Sequence, residues 1–128
     1  MVKLVFCLRR DGALSREEFQ SYWREQHAPL VRERAPLHNV VRYVQSHTLD
    51  SLSNAAVNAP RGGPEPYDGV AELWWEDMAA FEAAGATSEG RHAARELLDD
   101  ERRFIDFSQS PIFLATEHEV VAYGTSRP

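Results

Sequence analysis

The chain has a single cysteine, no basic run and no long apolar run, and each shortage excludes a class of protein. Cys7 alone allows neither an intramolecular disulfide nor a zinc site built from several cysteines. The net charge is −6 and the arginines are scattered, so we expect no nucleic-acid or anionic-membrane partner, since both need clustered Lys and Arg. No apolar run approaches membrane length, and the first residues lack the apolar core of a signal peptide. We therefore expect a cytoplasmic protein.

Glycine motifs that bind phosphate are also missing. The segment of residues 61–64, Arg-Gly-Gly-Pro, has neither the spacing nor the Lys-Ser or Lys-Thr ending of a P-loop. A Gly-x-Ser-x-Gly nucleophile elbow and a dinucleotide-binding fingerprint are absent as well. The sequence therefore points to none of these common enzyme classes.

What is present is typical of one globular domain. The chain has 128 residues, of which 43% are hydrophobic and 27% charged. A chain of this length buries roughly two-thirds of its unfolded surface. We expect one domain over residues 1–121, followed by a flexible tail over residues 122–128, where Gly, Ser and Pro accumulate.

The order of the predicted elements is βαββαβ. This order is typical of an α+β, ferredoxin-like fold, in which two helices lie on one face of a four-stranded antiparallel sheet. Ser15 and Glu18 predict a capping box for the first helix, and Asp77 and Ser88 are predicted to cap the later helical segments. The predicted strands cover residues 3–10, 40–48, 69–76 and 112–116, and the last of them is expected to extend through residue 121.

Residues 49–67 form a connection that is too long for a hairpin loop. The second half of this segment is rich in Gly and Pro, and residues 51–56 are predicted to form a short helical turn. Loops of this length are either functional or disordered, and we expect this one to border the pocket.

The strands are apolar on both faces. In the third strand Val70 and Trp74 share one face, whereas Leu73 and Trp75 share the other. Two helices cover only one face of a sheet, so we expect a second copy of the chain to cover the other one, giving a homodimer.

The most informative residue is His27. Phe19, Trp23 and Leu30 recur with it at steps of three and four residues, so His27 lies on the inward face of the first helix. Pro29 is expected to kink this helix or to end it just before. A histidine in this position is either a hydrogen-bonded core residue or a catalytic one.

A second histidine lies on the second predicted strand. Tyr43, Gln45 and His47 share one face of it, which is too polar for a core and too aromatic for solvent, and so predicts a pocket wall. Glu72 on the neighbouring strand is expected either to approach His47 or to pair with an arginine. His27, His47 and Glu72 also have the ligand types of a two-histidine, one-carboxylate iron site, but they lack any short spacing, so we expect no metal.

The sequence resembles the EthD family of dimeric α/β barrels. The similarity lies in Tyr22-Trp23 with His27, Pro29 and Leu30, and in the Tyr-Asp-Gly opening of the segment at residues 67–74. It continues in the segments at residues 43–47 and 104–110. The resemblance implies a ferredoxin-like protomer whose sheet packs against that of a second copy.

The resemblance also implies a set of functions. Similar proteins include lactone isomerases and dehydratase- or decarboxylase-like enzymes of polyketide pathways, which act without cofactors on small oxygenated rings. Their histidines match His27 and His47, although isomerase-type relatives also use a later cysteine that this chain does not have. We expect a cofactor-independent lyase or isomerase acting on a small aromatic or polyketide-like substrate. The alternatives are a monooxygenase-like oxidation of a phenol and a non-catalytic binding protein. The expected catalytic residues are His27, His47 and Glu72, and the expected substrate-binding residues are Tyr22, Trp23, Tyr43 and Trp75.

Overall fold

The computed structural model describes residues 1–122 and 124, and these form four strands and five α-helices. The strands are β1 (Val2–Leu8), β2 (Arg42–His47), β3 (Gly69–Trp75) and β4 (Ile112–Thr116). The helices are α1 (Arg16–Tyr22), α2 (Ala28–Arg34), α3 (Leu52–Asn58), α4 (Met78–Ala83) and α5 (Ser88–Glu101). Most of the predicted tail at residues 122–128 lies outside the described residues.

The strands form one antiparallel sheet in the order β2-β3-β1-β4. This order places each crossover helix over the sheet and confirms the predicted α+β, ferredoxin-like architecture. The predicted extension of the last strand is wrong, because β4 ends at Thr116. None of the helices within residues 1–122 is long and apolar enough to cross a bilayer.

Side-chain caps begin the helices. The Ser15 hydroxyl accepts the Glu18 N–H while the Glu18 carboxylate accepts the Ser15 N–H, so the predicted capping box is confirmed. Asp77 caps α4 as predicted. The cap of α5 is Thr87 rather than Ser88, because the Thr87 hydroxyl accepts the Gly90 N–H.

The helix that carries His27 continues past Pro29 through a π turn. The turn, Trp23–His27, joins α1 to α2, and the N–H of Ala28 bonds to the carbonyl of Trp23, five residues earlier. Pro29 has no N–H to donate, so the regular series of α-helical hydrogen bonds would be interrupted at this residue. The wider turn keeps the helix continuous, and such turns are frequent at functional sites.

The core is built around aromatic rings from the helix that carries His27 and from the turn that follows α5. Phe19, Trp23 and Phe104 are each at most 1% exposed, and the Phe19 ring lies 5.6 Å from each of the other two. β3 starts directly beneath this cluster, where a side chain at Gly69 would collide with the Trp23 ring. Truncation of one such ring to Ala costs about 3–5 kcal/mol of the free energy of unfolding.

The two faces of the sheet have different surroundings. Leu4, Phe6 and Leu73 face the helices, as does Tyr43, which is paired with Leu73. Side chains of the opposite parity form what we call the open face, which none of the described helices covers. The open face carries Lys3, Val5, Cys7, Arg42, Val44, Val70, Glu72, Trp74 and Phe113.

The segment at residues 49–67 contains the predicted helical turn. Ser51 caps α3, and the apolar side chains of Leu49, Leu52 and Val57 are strongly exposed, Leu52 by 91%. None of residues 49–67 lines the cavity between the helices and the sheet that contains His27, so the expectation that this segment borders that pocket is wrong. Asp50 instead borders a separate polar groove at His47. The segment follows the His47 end of β2, and that end is separated from the cavity by Trp23.

Candidate functional site

A cavity of about 530 Å³ lies between the helices and the sheet. Its wall is mostly aliphatic and aromatic, with contributions from β1, β3 and α5. The side chains of Leu98 and Ile112 also line it and are 40% and 53% exposed, which marks the side on which the cavity meets solvent. A cavity of this size and character suits a small, largely apolar ligand. The polar side chains in its wall are His27, His38, Tyr43, Glu82, Arg91 and Glu101.

His27 contributes its imidazole to this wall and is only 5% exposed. Its Nδ1 lies 2.7 Å from Oδ2 of Asp100. A carboxylate only accepts hydrogen bonds, so Nδ1 carries the hydrogen and Nε2 has a free lone pair. Burial lowers the pKa of His27, against the hydrogen bond and charge of Asp100, which raise it. The imidazole is therefore neutral near pH 7 and Nε2 is available as a base.

Asp100 is itself held by a second partner. The hydroxyl of Tyr22 donates to its Oδ1 at 2.6 Å, and Nε of Arg103 lies 3.7 Å from the same oxygen. Burial and the bond to Asp100 raise the pKa of Tyr22 to about 12, so the phenol stays protonated. Tyr22, Asp100 and His27 thus form a connected row that holds one orientation of the imidazole.

Glu101 is the second titratable group at this point. Its Oε2 lies 4.0 Å from Nε2 of His27, and its side chain is 21% exposed. Burial, together with the charge of Asp100, raises the pKa of Glu101 to about 7. Close to neutral pH Glu101 therefore exists both as an acid and as a base, within reach of a neutral imidazole.

Asp100 and Glu101 are functional candidates that the sequence interpretation missed. Glu101 had a usable signal, because it interrupts an apolar stripe that runs from Leu97 of α5 to Phe104 and Ile105 just after this helix. Asp100 had none, since its partner His27 is 73 positions away in the sequence.

The predicted aromatic residues divide into two groups. Trp23, Tyr43 and Trp75 line the cavity, and Nε1 of Trp75 donates to the carbonyl of His38 at 2.6 Å. Tyr22 does not line it and instead holds Asp100 from behind His27. The structure thus brings three of the four predicted binding residues to the cavity.

His47, which was expected to be catalytic together with His27, lies outside the cavity that contains His27. Its ring stacks on Trp23 at a centroid distance of 4.4 Å, and it faces a separate polar groove beside Gln20 and Arg24. The strand alternation was interpreted correctly, because Tyr43, Gln45 and His47 all face the helices. The bulk of Trp23 separates the end of this row from the cavity.

Glu72 lies on the open face, away from both histidines. It pairs with Val5 and Val44 across the sheet, and its Oε2 accepts a hydrogen bond from Nζ of Lys3 at 2.6 Å. The grouping of Glu72 with His27 and His47 is therefore wrong, and the partner of Glu72 is a lysine rather than the arginine proposed as its alternative. No group of three or more His, Cys, Asp or Glu within residues 1–122 is arranged to hold a metal ion.

Residues 11–108 match the EthD domain family. The chain belongs to the EthD family. The match covers α1, the π turn with His27, β2, β3 and α5, so it contains the Asp100–His27–Glu101 arrangement. A sequence comparison with curated proteins found no match.

Solved structures share the fold of this EthD protein. An EthD family protein from Bacillus halodurans is 18% identical, with a TM-score of 0.62 over 92% of this chain and 99% of that one. SnoaB from Streptomyces nogalater, a cofactor-independent oxygenase, is 20% identical, with a TM-score of 0.55 over 94% and 95%. A dimeric ferredoxin-like protein of unknown function from Bacteroides fragilis is 7% identical, with a TM-score of 0.55 over 89% and 93%. At these identities the similarity establishes the fold.

Proposed function

We propose that this protein is a cofactor-independent lyase or isomerase that moves protons on a small aromatic or polyketide-like substrate. The observation that carries the proposal is the pairing of two titratable groups in an apolar cavity. Nε2 of His27 and Oε2 of Glu101 lie 4.0 Å apart, and burial lowers the pKa of His27 while it raises the pKa of Glu101 to about 7. Pairs tuned in this way are the usual basis of acid and base catalysis.

The chemistry follows from the two protonation states. Neutral His27 removes a proton from a C–H or O–H of the substrate through Nε2, and the charge of Asp100 stabilises the imidazolium that forms. Protonated Glu101 delivers its own proton to a different substrate atom. After the product leaves, the proton on His27 passes to Glu101, directly or through water, and the starting state is restored.

The cavity wall favours a planar substrate of low charge. Trp23, Tyr43 and Trp75 offer aromatic surface, and the cation in the wall is Arg91, whose Nη1 is already bonded to the carbonyl of Gly85 at 3.1 Å. A ring that carries a carbonyl or hydroxyl group fits these surroundings better than a polyanion does. The apolar wall also strengthens the electrostatic interactions of the reacting groups.

An oxygenase is the second candidate. The same base would deprotonate a phenol, and the fold shared with SnoaB, a cofactor-independent oxygenase, supports this alternative. In that reaction molecular oxygen accepts electrons from the phenolate. The two functions therefore share His27 and differ in their consumption of oxygen.

A panel of enolisable aromatic ketones and phenols distinguishes these functions. In D2O we expect deuterium to enter a carbon next to a carbonyl, detected by NMR, with no oxygen uptake at an electrode. The variant that tests the role of His27 is His27→Gln. His92→Gln is its matched control, because it makes the same substitution at a histidine whose side chain is 79% exposed. Oxygen uptake that disappears in His27→Gln would establish the oxygenase instead. Ligand binding without deuterium exchange, oxygen uptake or product formation would show that the protein is a non-catalytic binding protein.

We also propose that the active form is a homodimer in which two open faces pack together. Val5, Val44 and Val70 on this face are only half-buried, and Phe113 is 49% exposed. Apolar side chains of this kind, which lie on the open face beside the Lys3–Glu72 ion pair, are stabilised when a second layer covers them. The dimeric state of the ferredoxin-like protein from Bacteroides fragilis supports the proposal.

Sedimentation tests the dimer directly. The wild-type protein is expected to sediment as a dimer at micromolar concentration, and Phe113→Asp is expected to shift it toward the monomer, since it places a charge in the apolar interface. Phe107→Asp is the control, because Phe107 is similarly exposed at 37% but lies outside the sheet. A wild-type monomer would contradict the proposal.

A further inference from the structure

A row of hydrogen bonds connects His47 to the cavity through two other side chains of β2. Nε2 of His47 lies 2.8 Å from Oε1 of Gln45, and Nε2 of Gln45 donates to the hydroxyl oxygen of Tyr43 at 2.8 Å. The same nitrogen donates to the carbonyl of Trp23 at 3.0 Å. Alternation along the strand puts all three side chains on the helix face.

The carbonyl of Trp23 decides the direction of the whole row. A carbonyl only accepts, so the NH2 group of Gln45, and not its oxygen, faces Trp23. Both hydrogens of this NH2 group are then used, one on Trp23 and one on Tyr43. The amide oxygen faces His47, so Nε2 of His47 must carry a hydrogen.

The consequence for Tyr43 concerns its one hydroxyl hydrogen. The oxygen of Tyr43 accepts from Gln45, and no hydrogen bond among the described residues has this hydroxyl as its donor. Tyr43 lines the cavity together with His27 and Glu101. Burial raises the pKa of Tyr43 to about 12, so the hydroxyl keeps its hydrogen near neutral pH. It is therefore free to point at a ligand.

We propose that Tyr43 donates a hydrogen bond to an oxygen of the ligand, and that Gln45, secured by His47, is the positioning residue that keeps this donor aimed into the cavity. The ligand class is a phenol or an enolisable carbonyl compound, whose oxygen gains negative charge when His27 or Glu101 removes a proton. A hydrogen-bond donor of this kind stabilises the negatively charged form of the ligand more than the neutral form. The inference rests on the proposed use of this cavity, but its test needs no turnover.

The test measures the ionisation of 4-nitrophenol bound to the full-length protein, read from its absorbance across a pH series. Donation by Tyr43 favours the bound phenolate, so the acid ionisation constant of the bound probe is expected to fall about tenfold in Tyr43→Phe. Gln45→Glu is expected to lower it to the same extent, because a carboxylate at position 45 would accept the hydrogen of Tyr43. An unchanged constant in Tyr43→Phe would overturn the proposal, and failure of 4-nitrophenol to bind would overturn the ligand class.

Two variants of His47 separate positioning from packing. His47→Gln retains an N–H donor for Gln45 but loses the stacked ring, whereas His47→Phe retains a ring on Trp23 but loses the donor. We expect the ionisation constant to fall about threefold in His47→Phe and to stay near the wild-type value in His47→Gln. The reverse order would show that His47 serves packing alone and would overturn its part in the proposal. Circular dichroism confirms the fold of each variant. Since the readout is binding and ionisation, a protein that fails every activity assay can still pass this test.

Discussion

His27→Gln is expected to reduce turnover by about a hundredfold or more while the fold persists, which is the usual scale for the loss of a general base. His27 provides the free Nε2 in the cavity, and Asp100 maintains that tautomer through a 2.7 Å contact with Nδ1. Gln fills a similar volume and still offers an N–H to Asp100, but it has no lone pair of useful basicity. Initial rates with the substrate found in the panel, at saturating concentration, measure the loss.

Two further variants sharpen this result. His92→Gln changes an exposed histidine of α5 and should leave turnover unchanged. Asp100→Asn should also lower turnover strongly, because an amide oxygen and an NH2 group compete for Nδ1 and both tautomers become possible. If His27→Gln retains full activity, the base is another group and the proposed mechanism fails.

Glu101→Gln is expected to lower turnover and, above pH 7, to make the protein more stable. The pKa of Glu101 is about 7 in the folded protein against an ordinary value of 4.5. Between these two values the folded state binds more protons than the unfolded state, so the free energy of unfolding decreases as the pH rises through this window. The full decrease amounts to about 3 kcal/mol at most, since one pKa unit corresponds to about 1.4 kcal/mol. Gln does not ionise and escapes this loss.

Urea unfolding at pH 5 and at pH 8 measures the effect. We expect the wild-type protein to lose stability relative to Glu101→Gln between the two pH values, and Glu25→Gln, which removes an exposed carboxylate, to follow the wild type. Protein concentration is held constant, because a dimer makes the midpoint depend on it. The same pH dependence in the wild type and in Glu101→Gln would contradict the assignment of a buried, neutral Glu101.

The combination of higher stability and lower activity is informative in itself. A carboxylic acid buried in an apolar cavity is costly to ionise, and a protein that only needed a packed core would gain from an amide at this position. The expected trade-off therefore separates a group retained for its chemistry from one retained for structure.

Local patterns predicted the elements well, because helices and caps depend on neighbours a few residues apart. The capping box of Ser15 and Glu18 and the inward face of His27 both follow from such short spacings. The order of strands and helices then restricted the topology to a ferredoxin-like sheet, since few arrangements obey the rules of connection. Two boundaries were predicted wrongly. The cap of α5 was assigned to Ser88 instead of the neighbouring Thr87, which has a similar preference for this position, and the last strand was extended past Thr116.

Which residues form the candidate site depends on contacts between residues far apart in the sequence, and short sequence patterns do not predict such contacts. His27 and Asp100 are brought together by the packing of the His27 helix against α5. The sequence showed that Glu72 lies on the opposite face of β3 from Ala71, Leu73 and Trp75. Because both faces of this strand carry apolar residues, it did not show which face the helices cover. The structure shows that the helices cover the face of Ala71, Leu73 and Trp75. His47 was assigned to the correct face, yet the width of the Trp23 ring placed it in a different groove.

The sequence alone thus determined the secondary structure, the ferredoxin-like topology and the inward position of His27, because these follow from periodicity, capping and connection rules. The tertiary structure decided which groups His27 meets. Asp100 at Nδ1 and Glu101 near Nε2 are brought there by the end of α5. The burial of His27 and Glu101 sets the protonation states on which the proposed chemistry depends. Burial and long-range distance are properties of the packed chain, and a list of residues in order does not contain them.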